Sequence, residues 1–391
     1  MVKRTIDQID PPVGVVDLLR EGLPVDEVLD AAQGAPAYPT APSIVERVRE
    51  VAGHPDGGRY TDGRGLPALR AALAKDLSQD YGAAVSPEDV LITAGSNQAF
   101  CLAASALAEP GDEVILTDPF YFNHDMWVRM DGLSPVYATT SAGTGQVVVD
   151  DVDKRVTGRT RMIVLTSPGN PTGVTASPEV IDELANLARA KDLVLVLDET
   201  YRTFRPGPGP AHRLFHRHDW HEYFVSLQSF SKDFAMPGYR VGALVGSPLL
   251  LDEVMKLMDC VAICAPRIGQ EAALEGLRSA GVWRKQKAAE IAAKHDRFRS
   301  VMSGSPGGFR LRQSGGFYGW VEHPGPPSDT DAVVRRLATE QGLLTIAGSV
   351  FTPEDRGFVR VSFANLELHQ IDELARRLAV FQVGNGFLLD T

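Results

Sequence analysis

The fold of this chain is decided by the stretch Leu193-Val194-Leu195-Val196-Leu197-Asp198-Glu199-Thr200-Tyr201. It begins with an unbroken apolar run, which predicts a strand that is buried on both faces. Such strands are typical of a mainly parallel sheet with helices on each side. The run ends at Asp198, and a carboxylate there is costly unless it meets a cation or a hydrogen-bond donor. The strand end is therefore a candidate site.

Further apolar runs of strand length precede and follow this one, and amphipathic helical patterns separate them. The runs lie at residues 90–93, 113–117, 161–166, 224–227 and 241–245. The helical patterns lie at residues 43–52, 66–81, 97–107 and 178–191. This alternation predicts an α/β fold, and ligands of such folds bind at the carboxyl ends of the strands.

The pattern changes after a long helical stretch at 268–303. Shorter strands at 309–312, 317–321 and 357–363 then mix with helices at 330–341 and 366–380. This order predicts a smaller α+β unit. We expect an N-terminal arm (1–42) that contributes to the small domain, a large domain (43–285) and a small C-terminal domain (286–391).

Composition narrows the class of protein. The chain has 391 residues and a net charge of −11, which argues against nucleic-acid binding. No apolar run reaches the ~18 residues of a membrane span, and residues 1–7 lack the apolar stretch of a signal peptide. Cys101, Cys260 and Cys264 cannot pair completely, which favours a reducing cytoplasm. No metal site is expected, because no histidine lies near Cys260 and Cys264, and core packing explains these two thiols better.

A lysine follows the strand at 224–227, in Ser229-Phe230-Ser231-Lys232, and Arg240 comes eight residues later. A lysine that loses solvation has a lowered pKa and attacks carbonyl groups, so it can form a Schiff base with an aldehyde cofactor. The serine hydroxyls and the charge of Arg240 suit a phosphate. Taken alone, a solvated lysine at a strand end would explain Lys232 equally well.

Other strand ends carry complementary groups. Ala94-Gly95-Ser96-Asn97 opens a helix and predicts a phosphate cradle, although capping by Ser96 or Asn97 is the simpler alternative. Tyr121 is placed to stack on a flat ring, whereas Phe120 is assigned to the core. The turn Ser167-Pro168-Gly169-Asn170-Pro171-Thr172-Gly173 holds the Asn170 amide in one place.

Two further residues suggest ligand contacts. Asp198 can accept a hydrogen bond from the protonated nitrogen of a pyridine ring. Tyr201, three residues further on, can donate to a phenolic oxygen of the same ring. The alternatives are helix capping by Asp198 and core packing of Tyr201. Arg360 is a lone arginine on the apolar strand 357–363, and its planar fork matches a carboxylate. That carboxylate is either a substrate or an internal acidic residue. Glu199 is interpreted as solvated or structural.

Together, Asn170-Pro171-Thr172-Gly173, Asp198 with Tyr201, and Ser229 to Lys232 with Arg240 resemble the class I/II aminotransferases, the fold-type I enzymes that use pyridoxal 5′-phosphate (PLP). The resemblance implies an aspartate-aminotransferase-like fold, with a mainly parallel seven-stranded sheet flanked by helices and a smaller α+β domain. It also implies an enzyme that moves an amino group from an L-amino acid to a 2-oxo acid by a ping-pong mechanism.

The resemblance implies a role for each matching residue. Lys232 forms the Schiff base and moves the proton, Asp198 pairs with the pyridine nitrogen, and Tyr201 bonds the phenolic oxygen together with Asn170. Tyr121 stacks on the ring. The implied phosphate group comprises Gly95, Ser96, Asn97, Ser229, Ser231 and Arg240. Arg360 is expected to bind the substrate carboxylate with help from Gly34 and Asn170, and Tyr60 to reach the phosphate of the other subunit of a homodimer.

Departures from the family pattern leave the substrate open. Ala347 stands where proline is usual and Gln33 is less usual, while Asn123, His124 and Arg267 have no assigned role; His124 is interpreted as a surface or hydrogen-bonded histidine. The same cofactor apparatus also supports elimination, γ-replacement, cyclisation or C–C bond formation. An aminotransferase-like sensor domain of a transcription regulator is rejected, because the chain is acidic and has no DNA-binding segment ahead of residue 40.

Overall fold

The computed structural model describes residues 9, 23 and 28–382, and the chain divides into two compact units. Unit 1 includes residues 38–170 and 174–289, and unit 2 includes residues 28–37, 171–173 and 290–382. Most of the N-terminal segment, including residues 1–7, lies outside the described residues. The division expected at residues 42 and 285 stays a prediction about domain organisation.

Elements are numbered along the chain. The strands are β1 (Leu29–Asp30), β2 (Val90–Thr93), β3 (Glu113–Asp118), β4 (Ser134–Thr139), β5 (Thr160–Thr166), β6 (Val194–Asp198), β7 (Phe224–Ser229), β8 (Gly242–Val245), β9 (Arg310–Gly315), β10 (Tyr318–Glu322), β11 (Leu343–Leu344), β12 (Ile346–Ala347) and β13 (Phe358–Ser362). The helices are α1 (Pro42–Gly53), α2 (Pro67–Tyr81), α3 (Ser96–Leu107), α4 (Phe122–Met130), α5 (Val149–Arg155), α6 (Pro178–Ala190), α7 (Pro248–Val261), α8 (Arg267–Ser279), α9 (Gly281–Met302), α10 (Thr330–Gln341) and α11 (Leu368–Val380).

Unit 1 is built on a seven-stranded sheet in the order β2-β8-β7-β6-β5-β3-β4. Strands β4, β3, β5, β6 and β7 are parallel, whereas β8 is antiparallel to both β7 and β2. Two reversals restore the direction, so β2 runs the same way as β7. The carboxyl ends of β2, β5, β6 and β7 therefore share one edge with the amino end of β8.

Burial of this sheet confirms the expectation drawn from its apolar runs. Every residue of β2, β7 and β8 is buried, and in β6 only Val194 is partly exposed. Apolar faces of the surrounding helices complete the core: Leu69, Leu73 and Leu77 of α2 are buried, as are Ile181 and Leu184 of α6. This is the α/β layer structure that the sequence predicts.

Unit 2 contains a four-stranded sheet in the order β12-β13-β10-β9, and all its strand pairs are antiparallel. The short strands β1 and β11 pair separately and in parallel. In the larger sheet Arg360 of β13 lies opposite Trp320 of β10. Helices α10 and α11 carry buried apolar residues of the same unit. An α+β arrangement was expected here, and it is present.

Some elements differ from the sequence-based expectation. The single helical stretch expected at 268–303 is two helices, because α8 ends at Ser279 and α9 begins at Gly281. Strand β4 was not predicted; it contains Pro135, which an edge strand tolerates because one side of it forms no ladder. Within the described part of the chain, no helix combines the length and hydropathy needed to cross a bilayer.

Candidate active site

The turn between β2 and α3 has the geometry of an anion site. Gly95 has φ +87°, and a Cβ added there would clash with the Arg240 guanidinium. That guanidinium donates from Nη2 to the carbonyl of Ala94 at 3.2 Å. A fixed positive charge therefore lies against the first turn of α3, where backbone N–H groups point outwards.

The simpler explanation of this turn, side-chain capping by Ser96 or Asn97, is wrong. The N-cap residue is Gly95, and no side chain caps α3. The backbone of β8 packs closely against this turn, because a Cβ on Gly242 would lie 2.6 Å from the amide nitrogen of Ser96. The Ser96 hydroxyl does not cap the helix; it accepts a hydrogen bond from the Thr200 hydroxyl at 3.0 Å, which leaves its own hydrogen for a ligand.

Lys232 follows β7 in a single tight turn. The amide of Phe234 donates to the carbonyl of Phe230 at 3.3 Å, and that of Met236 to Ser231 at 3.0 Å. Ser229 and Ser231 are buried, and the Ser229 hydroxyl accepts from the Ser231 amide at 3.2 Å. Lys232 itself is half-buried. The turn therefore holds a partly desolvated lysine beside two buried serines.

Asp198 ends β6 with a buried carboxylate that has specific neighbours. Its Oδ1 accepts from the backbone amide of Thr200 at 3.0 Å. Its Oδ2 lies 3.3 Å from Nε2 of His124, which is also buried. The His124 ring packs against Phe100, with centroids 4.0 Å apart, and edge-on against Tyr121 at 5.0 Å. A surface position for His124 is therefore wrong.

Tyr121 lies immediately before α4 and is bordered by two asparagines. Its hydroxyl donates to Oδ1 of Asn97 at 3.4 Å and accepts from Nδ2 of Asn123 at 2.9 Å. These contacts hold the tyrosine ring in one orientation next to the α3 N-terminus. Phe120 is buried, as the sequence predicts. Asn123 thus gains a structural contact that the sequence did not assign.

Asn170 and Tyr201 are both buried, in the segments that follow β5 and β6. The turn that carries Asn170 is closed by two hydrogen bonds, from the Gly169 amide to the Val174 carbonyl at 2.8 Å and from the Ala176 amide to the Ser167 hydroxyl at 3.0 Å. Because the ends of β5 and β6 share an edge of the sheet with those of β2 and β7, these polar side chains emerge on the same side as Lys232 and Gly95.

Glu199 is fully buried, so the solvated alternative is wrong. Its carboxylate accepts hydrogen bonds from the hydroxyls of Tyr81 and Ser226 and from the Gln228 amide, and His212 Nε2 lies 3.5 Å away. Burial raises the pKa of Glu199, but these neighbours outweigh it and hold the pKa below its usual value. Glu199 therefore anchors the loop that contains His212 to β6.

Asp233, next to Lys232, belongs to a buried ion-pair network. Its Oδ2 lies 3.6 Å from Nη1 of Arg284, and Arg284 also binds Asp76 at 2.7 Å. Arg202, after β6, donates to Asp76 and Asp80. Burial raises the pKa of Asp233, and the charges of Arg202 and Arg284 oppose that rise only in part.

Arg360 is buried in unit 2 together with two aromatic rings. Its guanidinium carbon lies 4.6 Å from the Tyr318 ring centroid and 5.2 Å from that of Phe351, and its Nη2 donates to the Ala32 carbonyl. A Cβ on Gly34 would clash with the Tyr318 hydroxyl. Arg360 is therefore fixed in orientation beside the Ala32–Gly34 backbone.

Three further residues differ in accessibility. Tyr60 is 74% exposed. Cys260 is exposed, so the expectation that it packs in the core is wrong, whereas Cys264 is buried. The described residues contain no group of acidic, histidine or cysteine side chains able to hold a metal ion.

The donor set of unit 1 fits PLP. The Gly95 turn with Arg240 leaves a cradle that a side chain would fill, and such a cradle matches a phosphate. Asp198 offers a buried carboxylate to a protonated ring nitrogen, and Lys232 offers an amine to an aldehyde.

Comparison with known proteins agrees with this site. A sequence profile described as aminotransferase class I and II matches residues 26–378. An aspartate aminotransferase of Sulfolobus acidocaldarius is 31% identical over 367 residues, which cover 91% of this chain and 90% of that protein. The arginine–pyruvate transaminase AruH of Pseudomonas aeruginosa is 29% identical, with 91% and 90% of the two chains covered. The structure of aspartate aminotransferase from Thermotoga maritima has a TM-score of 0.86 at 26% identity and covers 97% of this chain and 99% of that one.

The fold and the site thus define a PLP-dependent enzyme of the aspartate aminotransferase-like fold. The chain belongs to the aminotransferase class I and II family. It transfers amino groups, and among the reactions open to this cofactor apparatus the relatives favour transamination.

Proposed function

We propose that this enzyme moves the amino group of an L-amino acid to a 2-oxo acid by a ping-pong mechanism at one site. The observation that carries the proposal is the common sheet edge at which β2, β6 and β7 end. A phosphate cradle, a buried carboxylate and a lysine follow these three strands. Each group supplies one requirement of PLP chemistry.

The cofactor is held at both ends. The phosphate is bound by the α3 N-terminus, by nearby hydroxyls and by a guanidinium, from the residues Gly95, Ser96, Asn97, Ser229, Ser231 and Arg240. Asp198 accepts the hydrogen of the ring nitrogen and is held by His124 and the Thr200 amide. Asn170 and Tyr201 would donate to the phenolic oxygen, and Tyr121 would stack on the ring.

PLP, when bound, supplies an aldehyde carbon that takes the amino group and a ring that stabilises negative charge at the substrate α-carbon. Lys232 Nζ would bond the cofactor between turnovers, take the proton from the substrate α-carbon and deliver it to the former aldehyde carbon, which lies on the other side of the transferred nitrogen. Lys232 is half-buried next to the buried Ser231, in the turn that follows β7. Lys232, Asp198 and Tyr201 are therefore the proposed catalytic residues.

Arg360 is proposed to bind the α-carboxylate of the substrate, with Gly34 and Asn170 assisting. The rings of Tyr318 and Phe351 restrict its guanidinium, so little rotamer freedom is lost when a carboxylate binds. The absence of a side chain at Gly34 leaves room for the Tyr318 hydroxyl. A fixed fork of this kind selects carboxylates by geometry.

We propose a homodimer in which Tyr60 reaches the phosphate of the other subunit. Tyr60, Val261 and Ile263 are 74%, 66% and 42% exposed, respectively. A Cβ on Gly63 would lie 3.4 Å from the Ile263 carbonyl, so the segment that carries Tyr60 passes close to the backbone of Ile263. Exposed apolar patches of this kind are typical of subunit interfaces.

The cytoplasm is the proposed location. All three cysteines of the chain are free thiols, which fits a reducing compartment.

Half-reaction spectroscopy tests the proposed function. PLP-loaded protein is mixed with one amino acid and no 2-oxo acid; conversion of the cofactor to pyridoxamine phosphate, reversed by an added 2-oxo acid, is expected. The donor panel contains aspartate, phenylalanine and arginine, because relatives are named for aspartate, aromatic and arginine substrates. Release of product with PLP regenerated would contradict transamination. Failure of borohydride to trap PLP on Lys232 would contradict the cofactor site itself.

A further inference from the structure

Thr200 touches both the carboxylate and the phosphate side of the proposed cofactor site. Its backbone amide donates to Oδ1 of Asp198 at 3.0 Å, and its hydroxyl donates to the Ser96 hydroxyl at 3.0 Å. The residue is 7% exposed. Two strands, β7 and β8, separate β6 from β2 in the sheet, so this hydroxyl contact is a direct polar link between two segments that share no strand ladder.

The direction of the hydroxyl contact has a consequence for Ser96. A hydroxyl carries one hydrogen and can accept through its lone pairs. Because Ser96 Oγ accepts from Thr200, its own hydrogen remains available for another acceptor. A hydroxyl that already accepts a hydrogen bond is also polarised into a stronger donor. The neighbouring first turn of α3 and the Arg240 guanidinium favour an anion as that acceptor.

We propose that Thr200 is a positioning residue for the PLP phosphate: its hydroxyl orients Ser96 so that Ser96 donates to a phosphate oxygen. Its amide at the same time fixes Asp198, so one residue aligns both ends of the cofactor. This inference rests on the proposed function, because it requires PLP in the Gly95–Ser96 cradle. It adds to that function a residue that does not itself touch the phosphate.

The test separates the hydroxyl from the shape of the side chain. T200V keeps the branched shape and the backbone amide but removes the hydroxyl, and T200S keeps the hydroxyl. We expect T200V to raise the Kd for PLP by about threefold to tenfold, the equivalent of one lost hydrogen bond, and T200S to restore it to within about twofold. The binding is measured by titrating cofactor-free protein and following the absorbance of PLP bonded to Lys232.

Two further readouts would not respond to a merely structural role. The ³¹P resonance of bound PLP should shift in T200V and return in T200S, because the phosphate loses one donor. In a double-mutant cycle, S96A/T200V should bind PLP no more weakly than S96A alone, since Thr200 acts only through Ser96. Unfolding midpoints of the cofactor-free proteins establish that each variant is folded; if T200V is not, T200A takes its place.

Several results would overturn the proposal. One is a Kd for PLP in T200V equal to that of the wild type, and another is a Kd in T200S as high as in T200V. The third is a loss of PLP affinity in S96A/T200V equal to the sum of the losses in the two single variants. Failure of the proposed function gives a different result, in which wild-type protein itself forms no borohydride-trappable bond between PLP and Lys232.

Discussion

Gly95 is a position at which an added methyl group should weaken cofactor binding. Its φ of +87° is strained for any side chain, and a Cβ would clash with the Arg240 guanidinium. Gly95→Ala should therefore weaken PLP binding at least about tenfold, because both strain and loss of the cradle oppose the ligand. The Kd for PLP of cofactor-free protein measures the effect.

Gly143→Ala is a matched control, because a Cβ at Gly143 meets nothing within 4 Å. It should bind PLP as the wild type does. If the Gly95 and Gly143 variants bound PLP with equal affinity, the phosphate would not bind at the Gly95 turn.

His124 should be needed to hold Asp198 rather than to bind substrate. His124→Phe keeps an aromatic ring against Phe100 but removes the nitrogen that lies 3.3 Å from Asp198 Oδ2. Loss of one contact to a buried charge predicts a fall in kcat of about tenfold or more, with KM nearly unchanged. Steady-state kinetics with a saturating donor measures both. A rise in KM at constant kcat would place His124 in the substrate subsite instead.

The sequence predicts those site residues whose position in the fold follows from the residue pattern next to them. Lys232, Asp198 and Gly95 each follow an apolar run, and parallel strands end at one edge, so their convergence could be predicted. His124 and Thr200 could not be assigned, because their partners lie 74 and 104 positions away along the chain and depend on strand order. The burial of Glu199 was missed for the same reason, since its donors come from separate elements.

Helices α2 and α9 are joined to the segment after β6 by the partly buried ion pairs of Asp76 with Arg202 and Arg284. Burial raises the pKa of Asp76, but Arg202 and Arg284 outweigh it and hold the pKa well below its usual value. Asp76→Asn removes a negative charge that neutralises the guanidiniums of Arg202 and Arg284. We therefore expect a loss of about 3–5 kcal/mol in the free energy of unfolding. Urea denaturation measures this loss.

The control for Asp76 is Asp252→Asn, which breaks an exposed pair with Arg64. It should cost at most about 1 kcal/mol. Because the folded pKa of Asp76 is depressed, its contribution is present above the unfolded value near 3.8 and is lost as the pH falls below it. A variant as stable as the Asp252 control would contradict the network's role.

His323 should make the stability of unit 2 depend on pH. It is buried between β10 and α10, where Nε2 contacts the Thr330 hydroxyl at 2.9 Å and Nδ1 accepts from the Gly325 amide at 3.1 Å. Burial lowers the pKa of His323, and Asp355, Asp329 and Glu322 oppose that shift only in part. Its stabilising effect is therefore full above the unfolded value of 6.5 and declines as the pH falls through that value.

His323→Gln should flatten the decline in stability between about pH 7 and pH 5. His54→Gln should not, because the His54 side chain is 64% exposed. Urea unfolding at several pH values compares the two variants with the wild type. An unchanged slope in the His323 variant would exclude this histidine as the cause.

Elements were predictable where burial is uniform and less so at edges and breaks. Strand β6 has an unbroken apolar run and was expected almost to the residue. Strand β4 pairs only with β3 and is half-exposed, so its pattern is weak and Pro135 obscures it further. The break between α8 and α9 falls within a continuous helical pattern, and only Gly281 marks it.

The whole molecule raises the question of whether each active site belongs to one chain. Lys232 and Tyr60 are both in unit 1. Lys232 is half-buried in the turn after β7, whereas Tyr60 is 74% exposed. A side chain that serves the cofactor from so exposed a position is best explained if it acts on the other subunit. In a twofold dimer, each subunit would then complete the site of its partner.

Complementation between two inactive chains tests this arrangement. Lys232→Ala removes the proposed catalytic amine, and Tyr60→Phe removes the proposed phosphate contact and should be inactive when PLP is limiting. In a mixed dimer one site carries both substitutions and the other carries neither. Random pairing of equal amounts should therefore restore about a quarter of wild-type activity, since half the dimers are mixed and each has one intact site. The two chains are co-expressed in equal amounts with different tags. Purification through both tags isolates the mixed dimers and should raise the activity to about half that of the wild type, because one of their two sites is intact.

The control is a pair of substitutions in one functional group. Lys232→Ala mixed with Asp198→Ala should restore no activity if each site draws both Lys232 and Asp198 from the same chain. Lys232 and Asp198 both follow strands of one sheet, so each mixed dimer of this control has one defect in each site and should stay inactive. No activity in the Tyr60 mixture would show that Tyr60 serves its own chain, because each mixed dimer would then have one defect in each site. Activity in the control would show instead that one site takes Lys232 and Asp198 from different chains.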